Sequence, residues 1–315
     1  MSKIAFVFPG QGSQTVGMMK EFYDTYPVVK KVFSEADAAL GFSMTNMIFN
    51  GPEEDLRLTA NTQPAILTAS VAAWKVLEEK GVKADVAAGH SLGEYSALVA
   101  AGAMSFADAV RTVRKRGQFM QEAVPVGEGT MAAIIGLDNA KIVEICKKVE
   151  TELKQAVQAV NFNCPGQVVI AGATAAVQKA AEELKAAGAK RAIMLSVSAP
   201  FHSTLMEPAA KRLAEELKKV TFHDAKIPVV ANVSAKEETK AAEIASALVK
   251  QAASPVLWED SVRNMIAGGV TTFVEVGPGK VLTGFVRKIN KEFTGLNVED
   301  QASLEKTLAY LKEVR

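Results

Sequence analysis

Gly89-His90-Ser91-Leu92-Gly93 sets a serine between two glycines in the order G-x-S-x-G. Small residues at those positions let a chain turn sharply out of a strand and thrust the hydroxyl over the end of a sheet. The same five residues suit a glycine-bounded turn in which Ser91 is a helix N-cap. A serine attacks poorly until a base takes its proton, so the three histidines of the chain bear on the choice. His90 adjoins Ser91 within the turn and is expected to point elsewhere. His223 sits in the polar connection Thr221-Phe222-His223-Asp224, the setting of an exposed histidine. His202 lies in Ala199-Pro200-Phe201-His202-Ser203, between a strand and a helix for which Thr204 and Glu207 have capping-box spacing. A loop held by such elements is a common place for a catalytic group, and also for a histidine that is merely near a helix start.

No acid completes a triad. Between Ser91 and His202 the aspartates are Asp108, near a helix start, and Asp138, near the opening of a later unit. The expectation is therefore a Ser-His dyad whose imidazole is oriented by a backbone carbonyl or an amide side chain. The amide after the nucleophile, that of Leu92, is the natural first donor to an oxyanion, and Gln11 in Pro9-Gly10-Gln11-Gly12 is a candidate second. A phosphate loop is a poor fit to the same glycines, because the third is Gly17 and misses the G-x-G-x-x-G spacing. A helix is expected over 106–124. Its apolar stripe runs through Phe106, Val110, Val113, Gly117 and Met120, which leaves Arg111 and Lys115 in solvent. Arg114 and Arg116 flank the stripe, and Arg116 has Ala109, Met120 and Ala123 on its side. Arg116 is thus the expected buried cation, in need of an anion that is either a substrate carboxylate or an internal Asp or Glu.

These groups need elements to hold them. Ile4 to Phe8 and Val86 to Ala88 read as short buried strands, each followed by a glycine-bearing turn; helices are expected near Val16 to Phe22 and over Glu94 to Ala101. Gln63-Pro64 is expected to precede a helix from Ala65 to Glu79. From about Thr130 the order becomes β-α-β-β-α-β through Val197, a ferredoxin-like pattern entered at Gly127-Glu128-Gly129 and left at Ser198-Ala199-Pro200. The fold class is therefore α/β: a larger discontinuous body, 1–126 and 199–315, with a small subdomain inserted over 127–198. In the returning body, helices are expected over 204–219 and 241–252, strands over 227–231 and 272–276, and a last helix over 304–314.

The chain has 315 residues, 49% hydrophobic and 23% charged, a composition that folds. Thirty-six basic against 35 acidic residues leave a net charge of +1, too balanced for broad capture of nucleic acid or anionic membrane. Cys146 and Cys164 form neither a disulfide framework nor a metal-ligand pattern, which fits a reducing cytoplasm. The start, Met1-Ser2-Lys3-Ile4, lacks a signal-peptide pattern, and no apolar run approaches the roughly 20 residues of a membrane span.

Together these residues resemble the malonyl-CoA:acyl carrier protein transacylase family across almost the whole chain. The motifs that carry the resemblance are Phe8-Pro9-Gly10-Gln11-Gly12-Ser13-Gln14, Thr62-Gln63-Pro64-Ala65, Gly89-His90-Ser91-Leu92-Gly93-Glu94-Tyr95, Asn161-Phe162-Asn163, Pro200-Phe201-His202-Ser203 and Val276-Gly277-Pro278-Gly279. The resemblance implies an α/β-hydrolase-like body with a ferredoxin-like insertion. It implies Ser91 as acyl-accepting nucleophile, His202 as its base, Arg116 as clamp on the malonyl carboxylate and the amides of Gln11 and Leu92 as oxyanion hole. Gln251, four residues before Pro255, matches the position whose carbonyl orients the histidine, and Asn163 one that lines the cleft. Phe201 and Leu92 resemble malonyl-selective members, Phe201 filling the space an α-methyl would need. Cys164 departs from the small residue expected there.

The resemblance further implies ping-pong transfer for fatty acid synthesis, with malonyl-CoA and acyl carrier protein as partners, the CoA thioester as substrate, no metal or other bound cofactor, and a free-standing monomer. Lys190 and Arg191 are candidates for docking the acidic carrier. The rival readings are a serine esterase or thioesterase using the same dyad, a polyketide-pathway malonyl transferase, and a silent carrier-binding scaffold.

Overall fold

The computed structural model describes residues 3–197, 199–293 and 295–314. Met1, Ser2 and the expected exit residue Ser198 lie outside the described residues. The strands are β1 (Lys3–Phe8), β2 (Val86–Gly89), β3 (Gly129–Ile135), β4 (Val157–Cys164), β5 (Gln167–Ala173), β6 (Arg191–Met194), β7 (Val229–Val230), β8 (Glu237–Glu238), β9 (Val270–Val276) and β10 (Gly295–Val298).

One sheet has the order β10-β9-β1-β2-β7-β8, parallel except for the β7–β8 pair. Its central strands are covered on both faces, as parallel strands must be, and so read as unbroken apolar runs. Alternate residues of β1 serve different layers. Ile4, Phe6 and Phe8 join a core with Leu67, Tyr95 and Val110, while Ala5 and Val7 join one with Trp258, Phe273 and Phe285. Full burial of each large side chain is worth about 1.5–3 kcal/mol. The other sheet, β4-β5-β3-β6, is wholly antiparallel and has its own core, in which Ala132, Ile134 and Ile170 meet Ile142 and Val177 from the helices Asn139–Leu153 and Thr174–Ala186. That strand order is the ferredoxin-like one the β-α-β-β-α-β pattern predicts.

Register positions the site. Phe8 pairs with Gly89, so β1 and β2 end together and their turns leave the same edge of the sheet, where ligands of open parallel sheets bind.

Several local expectations are corrected. The first helix is Lys20–Thr25 rather than 16–22, because Gly17 and Met19 take left-handed conformations and the Gly17 amide donates to Ile48 O. The long helix runs from Thr59 to Glu79 with Pro64 inside it. Proline cannot donate to the carbonyl four residues back, but here that carbonyl, Ala60 O, accepts from Arg114 Nη1 at 2.7 Å instead. The Thr204/Glu207 capping box does not form: Thr204 opens a 3-10 turn, its amide donating to Gln158 Oε1 at 2.9 Å, and the helix proper is Glu207–Leu217 without a side-chain cap. Strand β10 and the helices Pro27–Leu40, Trp258–Ala267 and Val281–Ile289 were not read from the sequence.

Candidate active site

Ser91 sits at the β2 turn with φ +51°, in the left-handed region that non-glycine residues seldom occupy. Two contacts hold it there. Its amide donates to Asn232 Oδ1 at 2.7 Å, and Gly93 lies against the Phe8 carbonyl oxygen so closely that a Cβ would overlap it. The helix Gly93–Ala100 starts without a side-chain cap, and Ser91 Oγ lies 2.7 Å from His202 Nε2. The N-cap reading of Ser91 is therefore excluded.

His202 also takes a left-handed conformation, φ +63°. Its Nδ1 is 2.9 Å from Gln251 O and 3.2 Å from Ser254 O. Carbonyl oxygens only accept, so Nδ1 carries the proton and the Nε2 lone pair faces Ser91. Burial, then the neighbouring Arg116 charge, hold the imidazole pKa down to about 3, which keeps it neutral and ready to accept a proton. The carbonyl pair does the orienting that an aspartate does in a triad. Asp108 instead lies in the first turn of the helix Phe106–Glu122, where its amide donates to the capping Ser105 Oγ and its carboxylate pairs with exposed Arg111, and Asp138 caps the helix Asn139–Leu153. His90 points away from Ser91, its Nε2 2.8 Å from Asn163 Oδ1, and His223 is exposed.

Arg116 is 1% exposed. Nη1 donates to Gln63 Oε1 at 2.8 Å, and Nη2 to Gln251 Oε1 at 2.8 Å and to Ser91 Oγ at 3.1 Å. Its Nε lacks a partner and no carboxylate pairs with it among the described residues. The internal ion-pair alternative is thus not realised. Desolvation lowers its pKa, but a guanidinium remains charged. A buried cation ringed by neutral oxygens is a site for an incoming anion. Arg114 stays on the helix rim, holding Ala60 O and the Asn61 side chain.

Ser91, His202 and Arg116 line one cavity of about 120 Å³ together with Leu92 and Phe201. A second, of about 330 Å³, shares Gln11, His90, Asn161 and Leu195 with it and reaches Asn163 and Gln167. The Gln11 and Leu92 amides have no acceptor among the described residues. Lys190 and Arg191 are exposed and line neither cavity, although Leu195, just after β6, lines both. Lys288 Nζ reaches Gln167 Oε1 on the larger cavity at 3.3 Å, a cation the sequence reading missed. Cys164 is buried in the core with Val256 and Trp258, where its small apolar side chain packs without consequence for the site.

Glu94, Gln63 and Asn232 were also missed as site residues. The first two lie inside motifs the sequence singled out. Asn232 has no local signal; its side chain clamps the Ser91 turn by accepting from the Ser91 amide and donating to Gly89 O at 2.7 Å.

The acyl transferase domain family matches residues 5–308 of the chain. A malonyl CoA-acyl carrier protein transacylase of Bacillus subtilis is 53% identical over 313 residues, covering 99% of this chain and 98% of that protein. One of Salmonella typhimurium is 54% identical over 309 residues, covering 98% and 99%. The crystal structure of an acyl carrier protein S-malonyltransferase from Vibrio cholerae superposes with a TM-score of 0.95 at 49% identity, over 97% of this chain and 100% of that one. A malonyl-transacylase in complex with its type II polyketide acyl carrier protein gives 0.95 at 50% identity, over 98% and 100%.

Proposed function

The chain belongs to the acyl transferase domain family, and on that footing we propose that it moves a malonyl group from malonyl-CoA to the phosphopantetheine thiol of an acyl carrier protein, through a malonyl ester on Ser91. One observation carries this reading: Ser91 Oγ has His202 Nε2 at 2.7 Å and Arg116 Nη2 at 3.1 Å. A dyad serves any acyl transfer to serine. A guanidinium beside the same oxygen suits an acyl group that ends in a carboxylate.

In the first half-reaction His202 Nε2 takes the Ser91 proton as Oγ attacks the thioester carbonyl, and the oxyanion meets the Gln11 and Leu92 amides. The C–S bond breaks, and the imidazolium returns its proton to the departing CoA sulfur. In the second half the carrier thiol gives its proton to His202 and attacks the ester carbonyl; the C–O bond to Ser91 breaks and the serine is reprotonated. Gln251 O and Ser254 O hold the imidazole throughout. Arg116 grips the malonyl carboxylate, and Phe201, 8% exposed on the chamber wall, leaves no room for an α-methyl. No bound cofactor enters these steps.

The segment 127–198 is, on this proposal, an inserted subdomain that roofs the chamber of a body formed by 1–126 and 199–315; Met131 and Val197 on the chamber wall support it. Lys190 and Arg191 dock the acidic carrier, with Lys288 beside the larger cavity. The enzyme supplies fatty acid synthesis in the cytoplasm, a placement supported by two free, buried cysteines. No helix among the described residues is long and apolar enough to cross a membrane. Donation to a polyketide carrier is a second reading, favoured by the relative seen in complex with one. Incubation with malonyl-CoA, followed by intact mass measurement, tests the core proposal: a malonyl adduct forms, is discharged by carrier protein and is absent from Ser91→Ala. An unmodified parent protein overturns it, and transfer rates to the two carrier types decide between the pathways.

A further inference from the structure

Glu94 is 3% exposed in the first turn of the helix Gly93–Ala100 and lines neither cavity. Its Oε2 accepts from Gln251 Nε2 at 2.8 Å and from the Asn232 amide at 3.1 Å. Gln251 Nε2 also donates to Ser91 O at 2.9 Å, while Gln251 Oε1 accepts from Arg116 Nη2 at 2.8 Å. A glutamine amide has one donating and one accepting end. With the donating end claimed by Glu94 and Ser91 O, the accepting end must face the guanidinium. Reversed, the amide would set N–H groups against a cation that has no acceptor.

We propose that Glu94 is a positioning residue for the acyl clamp: by fixing the Gln251 amide it holds Arg116 toward the chamber without pairing with it, and so sets the preference for a carboxylate-bearing acyl group. This rests on Arg116 being the clamp. A carboxylate bonded directly to Arg116 would compete with the substrate, whereas one placed an amide away orients the cation and leaves its charge available.

Ser91 O and the guanidinium favour the same orientation, and the ionised carboxylate tightens it: it accepts a charge-assisted bond from Gln251 Nε2, whereas a protonated carboxyl accepts more weakly and can also donate. Desolvation pushes the Glu94 pKa up to about 7, the Gln251 and Asn232 hydrogen bonds oppose the rise, Glu238 on β8 adds to it and Arg116 opposes it. Tyr95 beside it is pushed up to about 12 and stays neutral. Glu238 is itself pushed to about 7, by burial and Glu243 against Lys250, so a control at that position is needed.

The test is the ratio of malonyl to acetyl transfer, each as kcat/KM, measured between pH about 5.5 and 8.5. Effects on the nucleophile and base enter both substrates and divide out. The expected parent ratio falls on acidification, half-way near pH about 7. Glu94→Gln lowers the ratio roughly ten-fold or more and flattens its pH profile, Glu94→Asp restores part of it, and Glu238→Gln keeps the fall. A flat parent profile, or a Glu94→Gln ratio equal to the parent's, overturns the proposal. So does an equal loss of both activities in Glu94→Gln, which marks a merely structural role. If Arg116→Ala keeps the malonyl preference, the clamp reading fails and this role with it; if Arg116→Ala loses the preference while Glu94→Gln retains it, the Glu94 proposal fails alone.

Discussion

Around the six-stranded sheet the buried side chains include Arg116, His202, Glu94, Gln251, Asn232 and Glu275, whereas among the described residues the buried members of the core beneath the four-stranded sheet are aliphatic apart from Cys146, with no charged group. The difference follows from strand direction. Parallel strands ending together leave turns whose backbone groups cannot all pair with one another, and side chains complete them: Asn232 serves the Ser91 turn, and Glu275 accepts from the Leu282 and Thr283 amides at the start of the helix Val281–Ile289. Antiparallel strands satisfy their own ladder. The body thus holds desolvated, pKa-shifted groups, and the small sheet contributes walls.

That contrast can be broken by substitution. The largest effect is expected for His202→Ala, which should slow acylation of Ser91 by malonyl-CoA roughly 10³-fold or more, while Met131→Ala, on the wall from the small sheet, changes it only a few-fold. Quench-flow with mass detection would measure both, and comparable losses would abolish the distinction. Gly93→Ala comes next. Its Cβ would overlap the Phe8 carbonyl, so a loss of about 4 kcal/mol in urea unfolding is expected, against about 1 kcal/mol for Gly166→Ala, where φ is +74° but the nearest atoms lie 3.8 Å away.

Acid titration sharpens the comparison. His202, depressed to about 3 from 6.5, contributes stability that is present above pH 6.5 and lost on the way down to its folded pKa. Glu94, raised to about 7 from 4.5, acts oppositely: the folded state binds its proton more tightly, and that stability is lost as pH rises from 4.5 to 7. The two partly cancel in the parent. Glu94→Gln removes the compensation, and on acidification from pH about 7.5 to 4.5 should lose up to about 3 kcal/mol more than the parent. Hydrogen exchange should place this change in β1 and β2 and leave β3 and β5 flat, since Cys146, pushed up to about 12, stays neutral. Parallel shifts in both sheets would mean a single cooperative unit. The smallest effect is at the surface: Lys190→Glu with Arg191→Glu should raise the KM for carrier protein a few-fold and leave acylation by malonyl-CoA unchanged.

Much of this was legible in the chain. The glycines around Ser91 mark a turn because only small residues tolerate its contacts, and the choice of Arg116 over Arg114 follows from helical periodicity and the apolar neighbours on one side. The β-α-β-β-α-β run is readable because each unit is local and periodic. Pro64 inside a helix was not, since the donor that replaces its missing N–H lies on another helix. Nor was β8, two residues long and too short to show a period, whereas β7 falls inside the strand expected over 227–231.

The amino-acid order by itself determined which segments become strand, turn or helix around Ser91, and which residue types stand there, because those depend on neighbours a few positions away. Only the tertiary structure decided that Gln251 would meet Arg116 with its oxygen, that Glu94 would hold that amide and that Asn232 would clamp Ser91. These groups are drawn from 91 to 251 along the chain. Removed from water, each buried donor or acceptor must find a partner in space, and sequence distance does not constrain which one.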